Sequence, residues 1–355
     1  MTGVLHVQKV SGISGSEDHL LSLLPLLRER GWDARMLVLH EGEPGARRFV
    51  EALRARSVPT DTLRMRFDAD PVVSLRVVRR RPAVLHTHLV HADVLALPAG
   101  ALARVPVRVS TKHGFNEFRG NRFVAAGDRI AARFAHRQIA ISHGLARYLA
   151  VTEGFAEDDF TVVHYGIESG PDPPAPPAAT RLCAVGRLIP IKGFDLLLRA
   201  FAAARAEVPE LTLEIAGNGP LAGELRGRAP EGVTFLGRVD PVREVYERNA
   251  IVVVPSRGEG FGMVALEAAE RGRAAIVSDV GGLPEIVADG ETGVVVPAED
   301  VDALARALVV LARDDELARQ YGHAARRRAL DEFSAGAAAD GVEAVYREVL
   351  PHRPR

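Results

Sequence analysis

Short apolar runs alternate with longer amphipathic ones along most of this chain, and that order leaves few folds open. Residues 4–7, "VLHV", read as a strand, and residues 19–30 as a helix with Gly31 behind it as a stop signal. Residues 34–40 are a strand again, 47–56 and 72–81 helices, and 83–88 and 107–112 further strands. Strand–helix–strand order of this kind predicts a parallel sheet with helices on both faces. Residues 169–177, "SGPDPPAPP", then place five prolines where neither a helix nor a central strand tolerates them, so they read as a semi-rigid linker. After them the alternation restarts, with strands at 181–185, 211–215, 233–236, 251–254 and 274–278 and helical segments at 193–208, 221–228, 262–271 and 301–312. A last helix is expected at 337–350. The expected fold is α/β, two doubly wound parallel-sheet domains facing a deep cleft. Residues 1–168 form the first domain, 169–180 the linker and 181–336 the second, and a C-terminal helix within 337–355 packs back on the first. Ligand is expected beyond the carboxyl ends of the strands.

Composition narrows the function classes. Hydrophobic residues make up 47% and charged ones 26% of the 355 residues, a globular balance that excludes a wholly disordered chain. A formal net charge of -1 supplies no global field toward nucleic acid or an anionic membrane. The opening "MTGVLHVQKV" reads as an immediate strand rather than a signal peptide. Charges interrupt every apolar run before the roughly 20 residues that a membrane-spanning helix needs. The single Cys183 excludes an intramolecular disulfide and a Cys-cluster zinc site. The expectation is a cytoplasmic protein.

The second half holds the residues with chemistry to offer. Its first strand ends in "GRLIPIKG", which puts Gly186, Arg187 and Lys192 in a loop at the head of a helix. A positive pair beside a helix N-terminus suits a pyrophosphate, and Arg adds a bidentate fork that Lys lacks. "IAGNGP" and "FLGRV" end two more strands in glycine turns, at Gly217, Asn218, Arg238 and Val239. Those glycines either make turns or let the backbone approach a flat ligand such as a nucleobase. The stretch "RGEGFGMVALEAAERG", residues 257–272, follows a buried strand and sets Glu259 in the turn and Glu267 eight residues on. Gly260, Phe261, Gly262, Met263 and Val264 open the next helix, whose free N–H groups favour an anion or sugar oxygens. Glu259 is placed to accept from sugar hydroxyls, and Glu267 to take both hydroxyls of a ribose. The plainer readings are a helix-dipole carboxylate and an exposed helix residue; Leu266, Ala268 and Ala269 make the latter less fitting.

That stretch resembles the E-x7-E motif of the retaining GT-B glycosyltransferases of family 4. "VGRLIPIKGFDLLLRAF", "EIAGNGP", "FLGRV" and "VGGLPEIVADGETGVVVP" are similar to the same family's other donor-domain signatures, and together they cover nearly all of residues 181–298 in order. The resemblance implies a nucleotide-sugar donor site in which Arg187 and Lys192 hold the diphosphate, Glu259 the donor sugar and Glu267 the ribose. The resemblance also implies that the loop amides of residues 261–264 contact sugar and phosphate.

In the first half, "VSGISGSE" at 10–17 resembles the family's N-terminal glycine loop, with Gly15 toward the donor and Gly12 and Ser16 toward the acceptor. A nicotinamide site would need G-x-G-x-x-G; only Gly12 and Gly15 are present, although Glu41 lies near the end of the second strand. "TKHGFN" at 111–116 resembles the segment carrying the family's cleft histidine, which makes His113 the expected polar group there. His86 and His88 alternate onto one face of their strand as a metal pair would. With no third ligand the expectation is no metal, and His88 reads as lining the cleft. The family often has an acid where Ala83 stands. Asp68-Ala-Asp70 precedes Pro71 and a helix, so Asp70 reads as a helix cap rather than part of a metal-binding D-x-D. Arg129, Arg133 and Arg137 share a predicted helical face, with Arg119 and Arg122 before them and Phe118, Phe123 and Phe134 near. A solvated helix is favoured there over weak peripheral contact with anionic lipid.

The resemblance therefore implies a metal-independent, retaining glycosyltransferase that needs no cofactor and moves a hexose-type sugar from a nucleoside-diphosphate sugar to a hydroxyl acceptor. UDP is favoured over GDP. Two other readings stay open, a nucleotide-sugar epimerase of the same fold and a non-catalytic sugar-nucleotide-binding protein. Small molecules, not nucleic acid, are the expected partners.

Overall fold

The computed structural model describes residues 2–66, 70–115 and 122–350, apart from the side chains of Val78, Arg122 and Phe123. Asp68, Phe118 and Arg119 lie outside them. The chain forms two compact units, Met1–Glu168 with Ala335–Arg355, and Ser169–Ser334.

The first unit runs β1 (Thr2–Lys9), α1 (Gly15–Glu29), β2 (Trp32–His40), α2 (Pro44–Ala55), β3 (Thr60–Arg64), α3 (Val72–Arg80), β4 (Val84–His88) and α4 (Leu89–Leu102). It continues through β5 (Val107–Lys112), α5 (Arg122–Ala132), β6 (Arg137–Ala140), α6 (His143–Glu153) and β7 (Phe160–Val162). The strands form one seven-stranded sheet in the order β3-β2-β1-β4-β5-β6-β7, with every pair parallel. Apolar residues fill both faces, as a parallel sheet requires. Val4, Leu20, Leu24, Val84 and Val109 lie in one core, and Leu5, Val7, Leu37, Leu85 and Ala96 in the other. α1 begins at Gly15, four residues before its apolar periodicity, because Ser14 and Glu17 close a capping box there.

In the second unit the elements are β8 (Arg181–Val185), α7 (Phe194–Glu207), β9 (Thr212–Ala216), α8 (Ala222–Gly227), β10 (Val233–Gly237), α9 (Arg243–Glu247) and β11 (Ile251–Val254). Then follow α10 (Met263–Glu270), β12 (Ala274–Ser278), α11 (Leu283–Ile286), β13 (Gly293–Val296), α12 (Val301–Ala312) and α13 (Asp315–Glu332). The six strands lie in the order β10-β9-β8-β11-β12-β13, again all parallel. The chain then returns to the first unit as α14 (Ala335–Val349), whose Val342 and Tyr346 lie in the same core as Leu20 of α1. Arg30 beside α1 pairs with Asp340 at 2.6 Å. The Ala335 amide donates to the Ile167 carbonyl at 2.9 Å, so the point where the chain re-enters this unit is bonded to the point where it leaves.

Three expectations need correction. The proline-rich segment is no free linker but a strap on the second unit. The Pro171 carbonyl accepts from Arg271, the Pro174 carbonyl from Arg273, Glu270 accepts from the Gly170 amide, and Asp172 pairs with Arg326. Arg273 is 1% exposed; a buried guanidinium needs those carbonyls, and proline carbonyls are not spent on a helix or ladder. The last helix starts at Ala335 rather than at residue 337. Arg129, Arg133 and Arg137 do not share a helix, because α5 stops at Ala132 and Arg137 opens β6. Asp70 does cap: its Oδ1 accepts from the Val72 amide at 3.1 Å. Hydrogen bonding from Arg66 holds its carboxyl down to about 2.

Candidate functional site

Two loops at the carboxyl ends of β8 and β11 are tied together, and the tie positions every charged group near them. Gly193, with φ of 67°, presses against the Pro255 carbonyl so closely that a Cβ would lie 1.9 Å from it. The Arg257 amide donates to the Ile191 carbonyl at 2.8 Å. The Arg257 guanidinium donates to the Pro190 carbonyl at 2.8 Å and to both oxygens of Asp195, and reaches Glu299 at 2.8 Å. That fork holds the Asp195 carboxyl below its usual range. A consequence is that Lys192, from the 3-10 turn Pro190–Lys192, meets Glu259 with Nζ 2.5 Å from Oε2. The pair is partly screened, with side chains 25% and 16% exposed. Arg187, from the same loop as Lys192, is exposed and has no side-chain partner among the described residues.

Gly262, with φ of 114°, turns the chain into α10, and the amides of Gly262, Met263 and Val264 find no acceptor among the described residues. Gly260 and Phe261 are buried just before them. The unpaired Arg187, the Lys192 ammonium and a helix start thus lie on the tied loops that carry the Glu259 carboxylate, a setting for an anion with hydroxyl groups attached. Glu267, on the second turn of α10, accepts from the Tyr246 hydroxyl at 2.5 Å. Burial, and then the Glu267 charge, push the Tyr246 phenol well above its usual value, so it stays a donor.

The glycine turns do something other than open space for a base. A Cβ on Gly217 would fall 1.8 Å from the Gly186 carbonyl, and one on Gly219 would fall 2.4 Å from that of Leu188. Backbone bonds from Gly186 to Ala216 and from Leu188 to Asn218 zip the two loops together. Gly186 and Gly217 therefore serve loop-on-loop packing, while the Asn218 and Arg238 side chains are exposed and Val239 is half-buried. Gly237 alone leaves the space of its absent Cβ empty.

In the first unit the expected acceptor-side residues separate. Gly12 is half-buried, and Ser16 accepts from Gln8 at 3.2 Å. Glu41 is paired with Lys9 at 2.6 Å, not poised for a ribose. His88 does not line a cleft: it is 1% exposed, because β4 lies in the middle of the sheet with β1 and β5 on either side. Its Nε2 lies 2.9 Å from His6 Nδ1 and its Nδ1 lies 2.9 Å from His113 Nε2. His113 is half-buried, and its Nδ1 is bonded to the Tyr165 hydroxyl. His6 was missed from the sequence; it sits opposite His86 in the β1–β4 register. Nitrogens of His6, His86 and His88 lie within 4.8 Å of one another, close enough to share an ion, yet every ring nitrogen already has a hydrogen-bond partner. Burial drives His6 to about 3 and His86 and His88 well below the usual histidine range, so all three rings are neutral. The available signal was the way three buried strands turn polar at their carboxyl ends, in "VLHVQ", "VLHTH" and "VSTKH".

A cavity of about 800 Å³ lies at the opposite end of the sheet, by the starts of β6 and β7, with Arg129, Arg133 and Arg137 facing Asp158 and Asp159. It is open and holds none of the groups above, so the chemistry is assigned to the loops.

The chain matches the family described as Glycosyltransferase Family 4 over residues 13–170 and that described as Glycosyl transferases group 1 over residues 179–314. It is 30% identical over 309 residues to alpha-maltose-1-phosphate synthase of Mycolicibacterium smegmatis, covering 75% of this chain and 79% of that protein. Glycogen synthase of Mycobacterium tuberculosis is 31% identical over 288 residues, 75% of this chain and 69% of its own. The lipopolysaccharide core mannosyltransferase LpcC of Rhizobium leguminosarum is 31% identical over 217 residues, 55% and 62% of the two chains. Among solved structures, Anabaena HepE in complex with UDP superposes with a TM-score of 0.83 at 19% identity, over 98% of this chain and 100% of that one. Sucrose-phosphate synthase of Thermosynechococcus elongatus gives 0.75 at 20% identity, over 98% and 99%. Both neighbours have the GT-B fold, which is the fold of this chain. Matches in both halves, and relatives aligned over most of their own length, make the chain a member of family 4, the group 1 glycosyltransferases.

Proposed function

We propose that this glycosyltransferase is retaining and metal-independent, and that it moves a hexose-type sugar from a nucleoside-diphosphate sugar to a hydroxyl acceptor. The observation that carries the reading is the Lys192–Glu259 pair, held at 2.5 Å between two loops that are bonded together. A diphosphate would draw Lys192 and the unpaired Arg187, helped by the free amides that start α10. Glu259 would then exchange Lys192 for a sugar hydroxyl, and Glu267 would hold the ribose while Tyr246 steadies it. Catalysis would rest on positioning and on stabilising charge that builds on the leaving diphosphate. Asp70, the described member of the D-x-D, is occupied by Arg66 and the Val72 amide, which speaks against a metal at that motif. HepE was solved with UDP, and that nucleotide is the first to try.

The test is to add UDP, GDP and their sugars to the purified protein, following the melting temperature and then the product by NMR. UDP should raise the melting temperature more than GDP does, and the new glycosidic bond should keep the donor's anomeric configuration. An inverted product overturns retention; sugar nucleotide altered without any acceptor points instead to an epimerase.

A further inference from the structure

We propose that His6, His88 and Tyr346 are positioning residues for His113, joined with it in one buried hydrogen-bonded wire that fixes which nitrogen of the His113 ring carries the proton. What the wire does for transfer rests on one further reading, that His113, in the segment resembling the family's cleft histidine, orients the donor sugar together with Glu259; the wire itself does not.

Seven groups stand in series. Thr111 Oγ1 lies 2.6 Å from His86 Nε2, and His86 Nδ1 lies 2.6 Å from the Tyr346 hydroxyl on α14. That hydroxyl is 3.4 Å from His6 Nε2, and His6 Nδ1 is 2.9 Å from His88 Nε2. His88 Nδ1 is 2.9 Å from His113 Nε2, and His113 Nδ1 is bonded to Tyr165. His6, His86, His88, Thr111, Tyr165 and Tyr346 are each at most 4% exposed and His113 is half-buried, so the links from Thr111 to His88 are shut off from water.

A neutral imidazole has one nitrogen that donates and one that accepts, and a hydroxyl has one proton to give. A series of such groups has just two arrangements in which each link holds one proton. In the first, Thr111 donates to His86, His86 Nδ1–H to Tyr346, Tyr346 to His6, His6 Nδ1–H to His88, His88 Nδ1–H to His113, and His113 Nδ1–H to Tyr165. In the second every link is reversed: Tyr165 donates to His113, His113 Nε2–H to His88, His88 Nε2–H to His6, His6 Nε2–H to Tyr346, Tyr346 to His86, and His86 Nε2–H to Thr111. Any mixture leaves one buried link with two protons or with none, which costs a hydrogen bond where no water can replace it. The tautomer of His113 is therefore set partly on α14. A sugar hydroxyl that took the place of Tyr165 would meet a donor in the first arrangement and an acceptor in the second.

Variants at the ends of the wire test this, because an orphaned lone pair is tolerated better than an orphaned buried N–H. Tyr346→Phe takes the partner from His6 Nε2, so the protons should turn toward Tyr165 and His113 should become the Nδ1–H form. Thr111→Val, which keeps its shape, should have the same effect from the far end and serves if Tyr346→Phe folds poorly. Tyr165→Phe should drive the reverse, with His113 and the remote His6 both in the Nε2–H form. Long-range proton–nitrogen NMR spectra of histidine-labelled protein, assigned by His→Gln variants, read these tautomers directly. Tautomers at His6 and His113 that stay the same in all three variants would overturn the wire. Transfer is measured alongside in Tyr346→Phe and Tyr165→Phe, which drive His113 to opposite tautomers, so that one of the two departs from the parent protein's arrangement. A several-fold fall in kcat at unchanged UDP affinity ties the wire to the sugar. Tautomers that move while kcat does not would leave the wire standing and remove the role given to His113.

Discussion

Glu259 and Lys192 hold each other's charge, so a change at either alters what its partner offers a ligand. Glu259→Gln keeps the shape but releases Lys192. Transfer should slow roughly ten- to a hundredfold, the rate equivalent of one or two charge-assisted hydrogen bonds. Binding of bare UDP should be unchanged or tighter. Glu267→Gln should instead weaken UDP and UDP-sugar alike, and calorimetry that finds the two variants equally damaging to UDP binding would refute this division. A second expectation separates two arginines that look alike in sequence. Arg187 has no partner among the described residues, so Arg187→Ala should leave unfolding free energy within about 0.5 kcal/mol while weakening UDP tenfold or more. Arg257 serves the Pro190 carbonyl, Asp195 and Glu299, so Arg257→Ala should cost about 1–3 kcal/mol in denaturant unfolding and disturb binding only through Lys192. The family resemblance grouped Arg187, Lys192, Glu259 and Glu267 in one expected site, and the structure adds that β8 and β11, the strands before their loops, are neighbours. It did not reveal Arg257 as the fastener, since its partners are backbone and charges from three separate segments.

At the level of elements, loop geometry decides more than propensity does. Gly193→Ala sets a Cβ against the Pro255 carbonyl at a positive φ, so the two site loops must part. It should cost about 1–3 kcal/mol of stability and much of the UDP affinity. Gly223→Ala in α8, where the new Cβ meets nothing, should be neutral or stabilise by roughly 0.5–1 kcal/mol in the same melts. Truncation after Ser334 removes α14, whose Ala339, Val342, Val345 and Tyr346 are all within 2% of full burial, and should leave the first unit prone to aggregate on size exclusion. A truncated protein that stays monomeric and active would overturn that. The strongly periodic helices and the apolar strands were legible. β3 was not: "TDTLR" at a sheet edge buries only Thr60 and Leu63. α4 was hidden because "LVHADVLALPAGAL" carries Pro98 and Gly100 and is apolar on most sides, which erases the 3.6-residue rhythm.

Across the molecule, buried histidines tie stability to acidity. His6 and His19 have their pKa lowered to about 3 by burial, against 6.5 for an ordinary histidine. The unfolded chain takes up those protons near pH 6.5 and the folded one does not until about pH 3, so their contribution is complete above 6.5 and drains as pH falls. Two such groups predict a slope of about 3 kcal/mol per pH unit below 6, and the lowered His86 and His88 act in the same direction. The groups facing them are Tyr165, Tyr346, His113 and one another; Glu17, which is bonded to Gln8 and Ser14 and raised by burial, acts in the opposite sense. Melting temperatures in a pH series should fall steeply from 6.5 to 4, and a flat profile there would contradict the burial of neutral rings. The shared face of His86 and His88 was legible from their alternation, but their burial beside His6 was not, because that depends on which strands pair and in what register. The two-unit division was legible from the restarted alternation, yet the proline segment read as a semi-rigid linker between the units when it is fastened to one of them. Topologically the second unit is an insertion: the chain leaves the first near Ile167 and returns at Ala335, and those two residues are bonded. A gene segment encoding residues 169–334, strap included, is therefore the natural cassette for exchange between relatives. A cut at residue 181 would instead take the Pro171 carbonyl from Arg271 and the Pro174 carbonyl from Arg273.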